Sequence, residues 1–191
     1  MIPKIIHFGW LGHGEKNDKI KACIESWHKY LPDYTFIEWN EDNFDINSYK
    51  FTRQSYDAKK YAFTSDVIRL YALYNYGGIY MDTDVMLYKP LDEFLDNEAF
   101  TGFELLGYPV CATMGAEKGN KIIKEFLDYY NDRDFEILTN TKIMSNILGE
   151  KGIDRYKNEI QKIDGITIYP QEYFNCENGY TLHLQNGSWL K

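Results

Sequence analysis

The stretch Gly77-Gly78-Ile79-Tyr80-Met81-Asp82-Thr83-Asp84-Val85-Met86-Leu87 decides how the chain is read, because two acidic residues interrupt a short apolar strand. Extended geometry puts side chains two positions apart on one face, and a loop at the strand end makes both aspartates reachable. Like charges about 4 Å apart repel by about 4 kcal/mol at an effective dielectric near 20, so a close pair of carboxylates calls for a cation or a proton. Mg²⁺ and Mn²⁺ take oxygen ligands and leave positions for water and phosphate. Two exposed aspartates in a turn are the simpler alternative.

Upstream, residues 57–76 have a helical pattern, with Gly77-Gly78 where a left-handed cap is expected. Asp66 and Arg69 lie one turn apart on that helix with Ser65 beside them, so they share a face. They suit a surface ion pair. They equally suit a sugar, since a carboxylate accepts from hydroxyls and a guanidinium donates in a fixed fork. Further back, residues 4–10 read as a buried strand, residues 18–30 as a helix with Ile20, Cys23, Ile24 and Trp27 at helical spacing, and residues 34–39 as a second strand. A strand–helix–strand opening favours a parallel sheet covered by helices.

Downstream, strands are expected at residues 100–104, 110–114, 166–169 and 180–184, and helices at 121–130 and 141–148. Residues 150–164 are polar and read as an exposed, mobile segment. Trp27 and Trp39 fit packing positions. The fold class is therefore α/β, with one domain over residues 1–191.

The 191 residues are 44% hydrophobic and 26% charged, as in a folded domain. A net charge of −8 argues against sequence-independent nucleic-acid binding, which needs a basic footprint. It leaves room for an anionic ligand only if a cation stands between. Three cysteines, without a CxxC pair, read as free thiols in a reducing compartment. No stretch approaches the roughly 20 apolar residues of a membrane span. A cytoplasmic location is expected, with docking at the inner face of the plasma membrane left open.

Three ordered motifs, Ile2-Pro3-Lys4-Ile5-Ile6-His7-Phe8-Gly9-Trp10, Ala62-Phe63-Thr64-Ser65-Asp66-Val67-Ile68-Arg69-Leu70-Tyr71 and Gly77 to Asp84, resemble glycosyltransferases with a sugar-binding region containing a DXD motif. That group includes capsular-polysaccharide enzymes and initiating α-1,6-mannosyltransferases, and the large clostridial glucosylating toxins share its core pattern. The resemblance implies a GT-A fold, a Rossmann-like α/β/α sandwich with a mixed, mainly parallel central sheet. It implies a nucleotide-sugar donor, most often a UDP-sugar, with Mn²⁺ or Mg²⁺. Transfer of a hexose with retention, to an oligosaccharide or lipid-linked acceptor in capsular or other cell-surface polysaccharide synthesis, is the expected reaction.

Carried over by position, the resemblance assigns Phe8 and Trp10 to the nucleobase stretch and Ser65, Asp66 and Arg69 to the donor sugar. Asp82 and Thr83 fall near ribose and sugar, and Asp84 on the metal beside Asp82. His183 matches a terminal metal ligand, and Ser188 and Trp189 match a segment that closes over the diphosphate. Glu104, at a strand end, is the candidate for touching the acceptor hydroxyl. A haloacid-dehalogenase-like phosphohydrolase also places D-x-D after a strand, and a carbohydrate-binding module would use the aromatics without a nucleotide.

Overall fold

A computed structural model describes residues 1–185. In chain order the elements are β1 (Ile5–Gly9), α1 (Asp18–Tyr30), β2 (Thr35–Trp39), α2 (Lys50–Asp57), α3 (Tyr61–Tyr76), β3 (Gly78–Met81) and β4 (Val85–Leu87). There follow β5 (Ala99–Gly102), β6 (Thr113–Ala116), α4 (Lys121–Asp128), α5 (Asn140–Glu150), β7 (Gln161–Ile163), β8 (Ile166–Tyr169), α6 (Gln171–Phe174) and β9 (Thr181–His183). Seven strands form one sheet in the order β2-β1-β3-β6-β5-β8-β7. Only β6 and β7 run against the other five, so the sheet is mixed and mainly parallel in direction, as the resemblance implied.

Local chemistry explains the opening unit. Asn17 caps α1 by accepting from the Ile20 amide, and Ile20, Cys23 and Trp27 bury one stripe of that helix. Its other end closes where the Leu31 amide bonds the Trp27 carbonyl. On one face of the sheet, α1, β4 and α6 pack through Trp27, Val85 and Phe174, with Phe94 from the β4–β5 connection. On the other, α2 to α5 pack through Phe51, Val67, Phe126 and Met144. This is the expected sandwich. His7 is wholly buried between its partners, facing the Gly77 carbonyl at 2.8 Å through Nε2 and accepting from Trp39 Nε1 at 3.1 Å through Nδ1. That relay ties β1, β2 and the entry to β3 together.

Several boundaries differ from the sequence reading. The helix expected over residues 57–76 starts four residues later, at Tyr61: Asp57 ends a separate helix, α2, and Lys59 between the two takes a left-handed φ of 57°. Ser55 and Thr64 hydroxyls, 2.8 Å apart, rejoin them across the break. Gly77 has positive φ, but its ψ of 179° is not a left-handed helical cap. A Cβ on Gly78 would lie 2.7 Å from the Ile5 carbonyl oxygen, so glycine here admits β3 beside β1. β6 starts at Thr113 rather than 110, and residues 161–163 within the expected mobile segment form edge strand β7.

The largest departure lies after β3. Asp82 to Asp84 are not extended: they turn, with the Val85 amide bonding the Asp82 carbonyl at 3.0 Å. The chain thereby leaves the main sheet, and β4 pairs antiparallel with β9, Val85 opposite His183. Trp27 Nε1 donates to the Val85 carbonyl at 2.8 Å and fixes the outgoing strand. Among the described residues no helix is long and apolar enough to cross a membrane.

Candidate functional site

Three parallel strands end at one crevice, where ligands of open α/β sheets are bound. Trp10 follows β1, Asp82 follows β3 and Glu104 follows β5. A cavity of about 640 Å³ lies there, lined by Trp10, Ser65, Asp66, Arg69, Asp82, Thr83, Asp84, Glu104 and His183. Its size suits a small-molecule ligand.

Arg69 is the fixed point of the floor. Its side chain is 4% exposed, donates from Nη2 to Asp82 Oδ1 at 2.5 Å and from Nη1 to the Cys111 carbonyl at 3.3 Å, and lies 4.9 Å from the centre of the Tyr80 ring. Arg69 thus reaches across to β3 rather than pairing along its own helix with Asp66. Asp66 sits in the concave wall, where the backbone amide of Asn140 at the start of α5 favours its charged form. Burial pushes its carboxyl up to about 7, against the pull of Arg69 and with the push of Asp82. Asp82 is raised by burial too, although 29% of its side chain still meets solvent in the open cavity. Gly9 has no Cβ for a reason: one there would lie 3.0 Å from Ser65 Oγ, so glycine lets α3 approach the end of β1.

The opposite wall carries His183. Ligand atoms of Asp82, Asp84 and His183 all lie within 4.8 Å of one another. His183 Nε2 is 3.3 Å from Asp84 Oδ1, and Nδ1 is 2.9 Å from Glu104 Oε1. Burial opposes charge on this imidazole, yet hydrogen bonds with Asp84 and Glu104 outweigh it and push the pKa up to about 10. A proton on His183 therefore offsets part of the negative charge of Asp82, Asp84 and Glu104. Two carboxylates and an imidazole whose distal nitrogen is held by a carboxylate form a donor set that fits Mn²⁺ or Mg²⁺. A cation would compete with that proton.

Of the residues singled out from sequence, Trp10, Ser65, Asp66, Arg69, Asp82, Thr83, Asp84, Glu104 and His183 share the cavity. Trp10 donates from Nε1 to the Gly14 carbonyl at 2.6 Å, and Lys16 Nζ lies 5.1 Å from its ring centre, so its ring is held within the loop after β1. Phe8 is not brought to the site: it alternates to the core side of β1 and packs edge-on against Trp27. Ser188 and Trp189 lie outside the described residues. Asn140 was missed. It is 2% exposed, lines the cavity, and its Nδ2 is buried with no hydrogen-bond partner among the described residues. The periodicity of residues 141–148 marked the helix but nothing marked its first residue as facing a ligand.

Comparison with known proteins follows the same residues. Residues 17–101, which hold the α3 cluster and the Asp82–Asp84 turn, match the family described as "Glycosyltransferase sugar-binding region containing DXD motif". The glycosyltransferase resemblance is thereby shown. Inositol phosphoceramide mannosyltransferase 3 of Schizosaccharomyces pombe is 35% identical over 106 residues, 52% of this chain and 29% of that protein. An uncharacterised glycosyltransferase of Acanthamoeba polyphaga mimivirus is 26% identical over 211 residues, 99% of this chain and 84% of it. The chain spans under a third of the length of the yeast relatives it matches first. Among solved structures, a glycosyltransferase involved in glycosylation of the major capsid of PBCV-1 superposes with a TM-score of 0.57 at 15% identity, covering 95% of this chain and 94% of that one. The PaToxG glycosyltransferase gives 0.52 at 23% identity, covering 66% and 59%. The fold is GT-A.

Proposed function

We propose that this protein is a metal-dependent glycosyltransferase that moves a hexose from a nucleotide-sugar, a UDP-sugar in the first instance, to a saccharide or lipid-linked acceptor with retention of configuration. One observation carries the reading: the ligand atoms of Asp82, Asp84 and His183 converge within 4.8 Å in the same cavity as Asp66, Arg69 and Trp10. Asp82, Asp84 and His183 would hold the cation. When bound, it supplies Lewis-acid stabilisation of the diphosphate leaving group, a contribution of several kcal/mol.

The remaining chemistry belongs to the chain's own residues. Trp10 offers an aromatic surface to the nucleobase at the end of β1. Asp66, Ser65 and the Asn140 side-chain amide offer hydrogen bonds to sugar hydroxyls, and Arg69 keeps Asp82 in place while adding positive charge to the cavity floor. The second carboxylate oxygen of Glu104 is buried and has no hydrogen-bond partner among the described residues, which leaves its acceptor capacity for an acceptor hydroxyl. A site that is acidic overall would accept an anionic donor with a cation held by Asp82, Asp84 and His183 and the charge of Arg69 in the floor. The names of the yeast relatives support including mannose among the donor sugars and an inositol-phosphate lipid among the acceptors. We place the reaction in cell-surface glycan synthesis on the cytoplasmic side.

Incubation with UDP- and GDP-hexoses, Mn²⁺ and a panel of saccharide and lipid acceptors, followed by proton NMR of the product, tests this. A glycoside with the donor's anomeric configuration is expected. Phosphate release from simple phosphomonoesters without any nucleotide-sugar would replace the proposal with a phosphohydrolase, and glycan binding indifferent to nucleotides would replace it with a binding module.

A further inference from the structure

His183 stands on a strand of three residues that touches no part of the main sheet through backbone pairing, so something else must aim its ring. Two side chains do so. Asn175, the residue that ends α6, donates from Nδ2 to the Glu104 carbonyl at 2.8 Å and accepts the His183 amide on Oδ1 at 3.3 Å. One amide thus pins the end of the β5 segment to the end of β9. Glu104 Oε1 then faces His183 Nδ1 at 2.9 Å and receives Gln185 Nε2 at 3.3 Å, which leaves His183 Nε2 on the Asp84 side.

The surrounding packing makes this arrangement rigid. A Cβ on Gly102 would lie 2.8 Å from the Phe174 ring, so glycine in β5 is what lets α6 sit close enough for Asn175 to reach Glu104. A Cβ on Gly179 would lie 2.1 Å from the Glu172 carbonyl oxygen, and the tight return it permits brings β9 back alongside Asn175. Thr181 Oγ1 donates to the Phe174 carbonyl at 2.7 Å and locks the same return.

We propose that Glu104 and Asn175 are positioning residues for the cation site: Asn175 fixes the spacing of the Glu104 and His183 backbones, and the Glu104 carboxylate holds His183 Nδ1 so that Nε2 is presented beside Asp84. Outer partners of metal-bound histidines of this kind typically contribute 10–100-fold in affinity. The inference rests on the cation-site reading given under Proposed function.

The test measures Mn²⁺ alone, titrated into the full chain and followed by the electron paramagnetic resonance signal of free Mn²⁺, with paramagnetic broadening of the His183 ring resonances as a second readout. Glu104→Gln and Asn175→Ala are each expected to weaken Mn²⁺ by about tenfold or more and to spare the His183 ring from broadening at Mn²⁺ levels that erase it in the wild type. Asn175→Asp, which keeps the acceptor for the His183 amide and loses the donor to Glu104, falls between. Circular dichroism melts confirm that each variant is folded, and Gln185→Ala, which removes only the outermost contact, is the milder substitute if one is not. Mn²⁺ affinity and broadening within twofold of wild type in both main variants overturn the proposal. Asp84→Asn and His183→Ala separate the two levels: if they leave Mn²⁺ affinity unchanged, the cation-site reading itself fails, whereas loss in these two alone leaves that reading and removes only the positioning roles.

Discussion

One wall of the cavity carries Asp66, Arg69 and Asp82 on α3 and at the end of β3; the other carries His183 at the end of β9. The first wall is set by burial. Val67, Ile68, Leu70 and Leu73 around Arg69 are inaccessible to solvent, and β3 is held by neighbours on both sides. The second wall is a two-stranded ribbon whose β4 residues Val85 and Leu87 are buried, but its tip at His183 is aimed by a few polar pins, with Trp27 at one side of β4 and Asn175 at the end of α6. The cavity thus combines a wall built into the core with a wall whose tip is held by polar contacts, and the two should respond differently to mutation.

Arg69→Ala should be the most damaging change, at about 3 kcal/mol, because it removes a buried guanidinium and strips Asp82, a partly buried carboxylate, of its counter-ion. Urea unfolding measures it, and a loss below about 1 kcal/mol would mean the floor is not held by charge pairing. Trp27→Phe should cost about 2 kcal/mol by leaving the Val85 carbonyl unpaired in the core. Paired with a nucleotide-sugar titration, it asks whether β4 transmits that loss to Asp84, which precedes Val85, and to His183, which pairs with it.

What the sequence made legible follows the same division. The spacing of Ile20, Cys23 and Trp27, the run ending at Tyr76 and the apolar strand before Asp82 fixed α1, α3 and β3 closely, since local periodicity and core packing agree there. The break at Lys59 was invisible because neither glycine nor proline marks it, and tertiary packing supplies the left-handed residue. The pairing of Val85 with His183 spans 98 positions, and no local pattern encodes such a partner. Asp66 was seen as a partner of Arg69 because spacing on a helix reports a shared face, not which neighbouring strand competes for the guanidinium. Asn140 and Asn175 gave no signal because a lone asparagine next to a helix end is first a capping residue.

Asp66→Asn sharpens the contrast through pH. Burial raises the native carboxyl from 3.8 to about 7, so the native state resists losing that proton and the wild type loses stability as pH rises from about 4 to 7. The metal-free variant should therefore gain about 2–3 kcal/mol over wild type between pH 5 and pH 8, read from melts in chelator. A constant difference across that interval would show that Asp66 is solvated like a surface carboxylate. Asn175→Ala should have the smallest effect on stability, about 1 kcal/mol or less, because its bonds pin an arm rather than a core. A loss as large as that of Arg69→Ala would erase the distinction between the two walls.

Equilibrium titration of UDP- and GDP-hexoses, with Mn²⁺ or with chelator, into the wild type and Asp84→Asn is the most direct test. At least one nucleotide-sugar should bind the wild type with Mn²⁺ and bind tenfold or more weakly, by about 1.4 kcal/mol, both in chelator and in the variant. Equal binding with and without the divalent ion, or no binding of any nucleotide-sugar, would contradict the account.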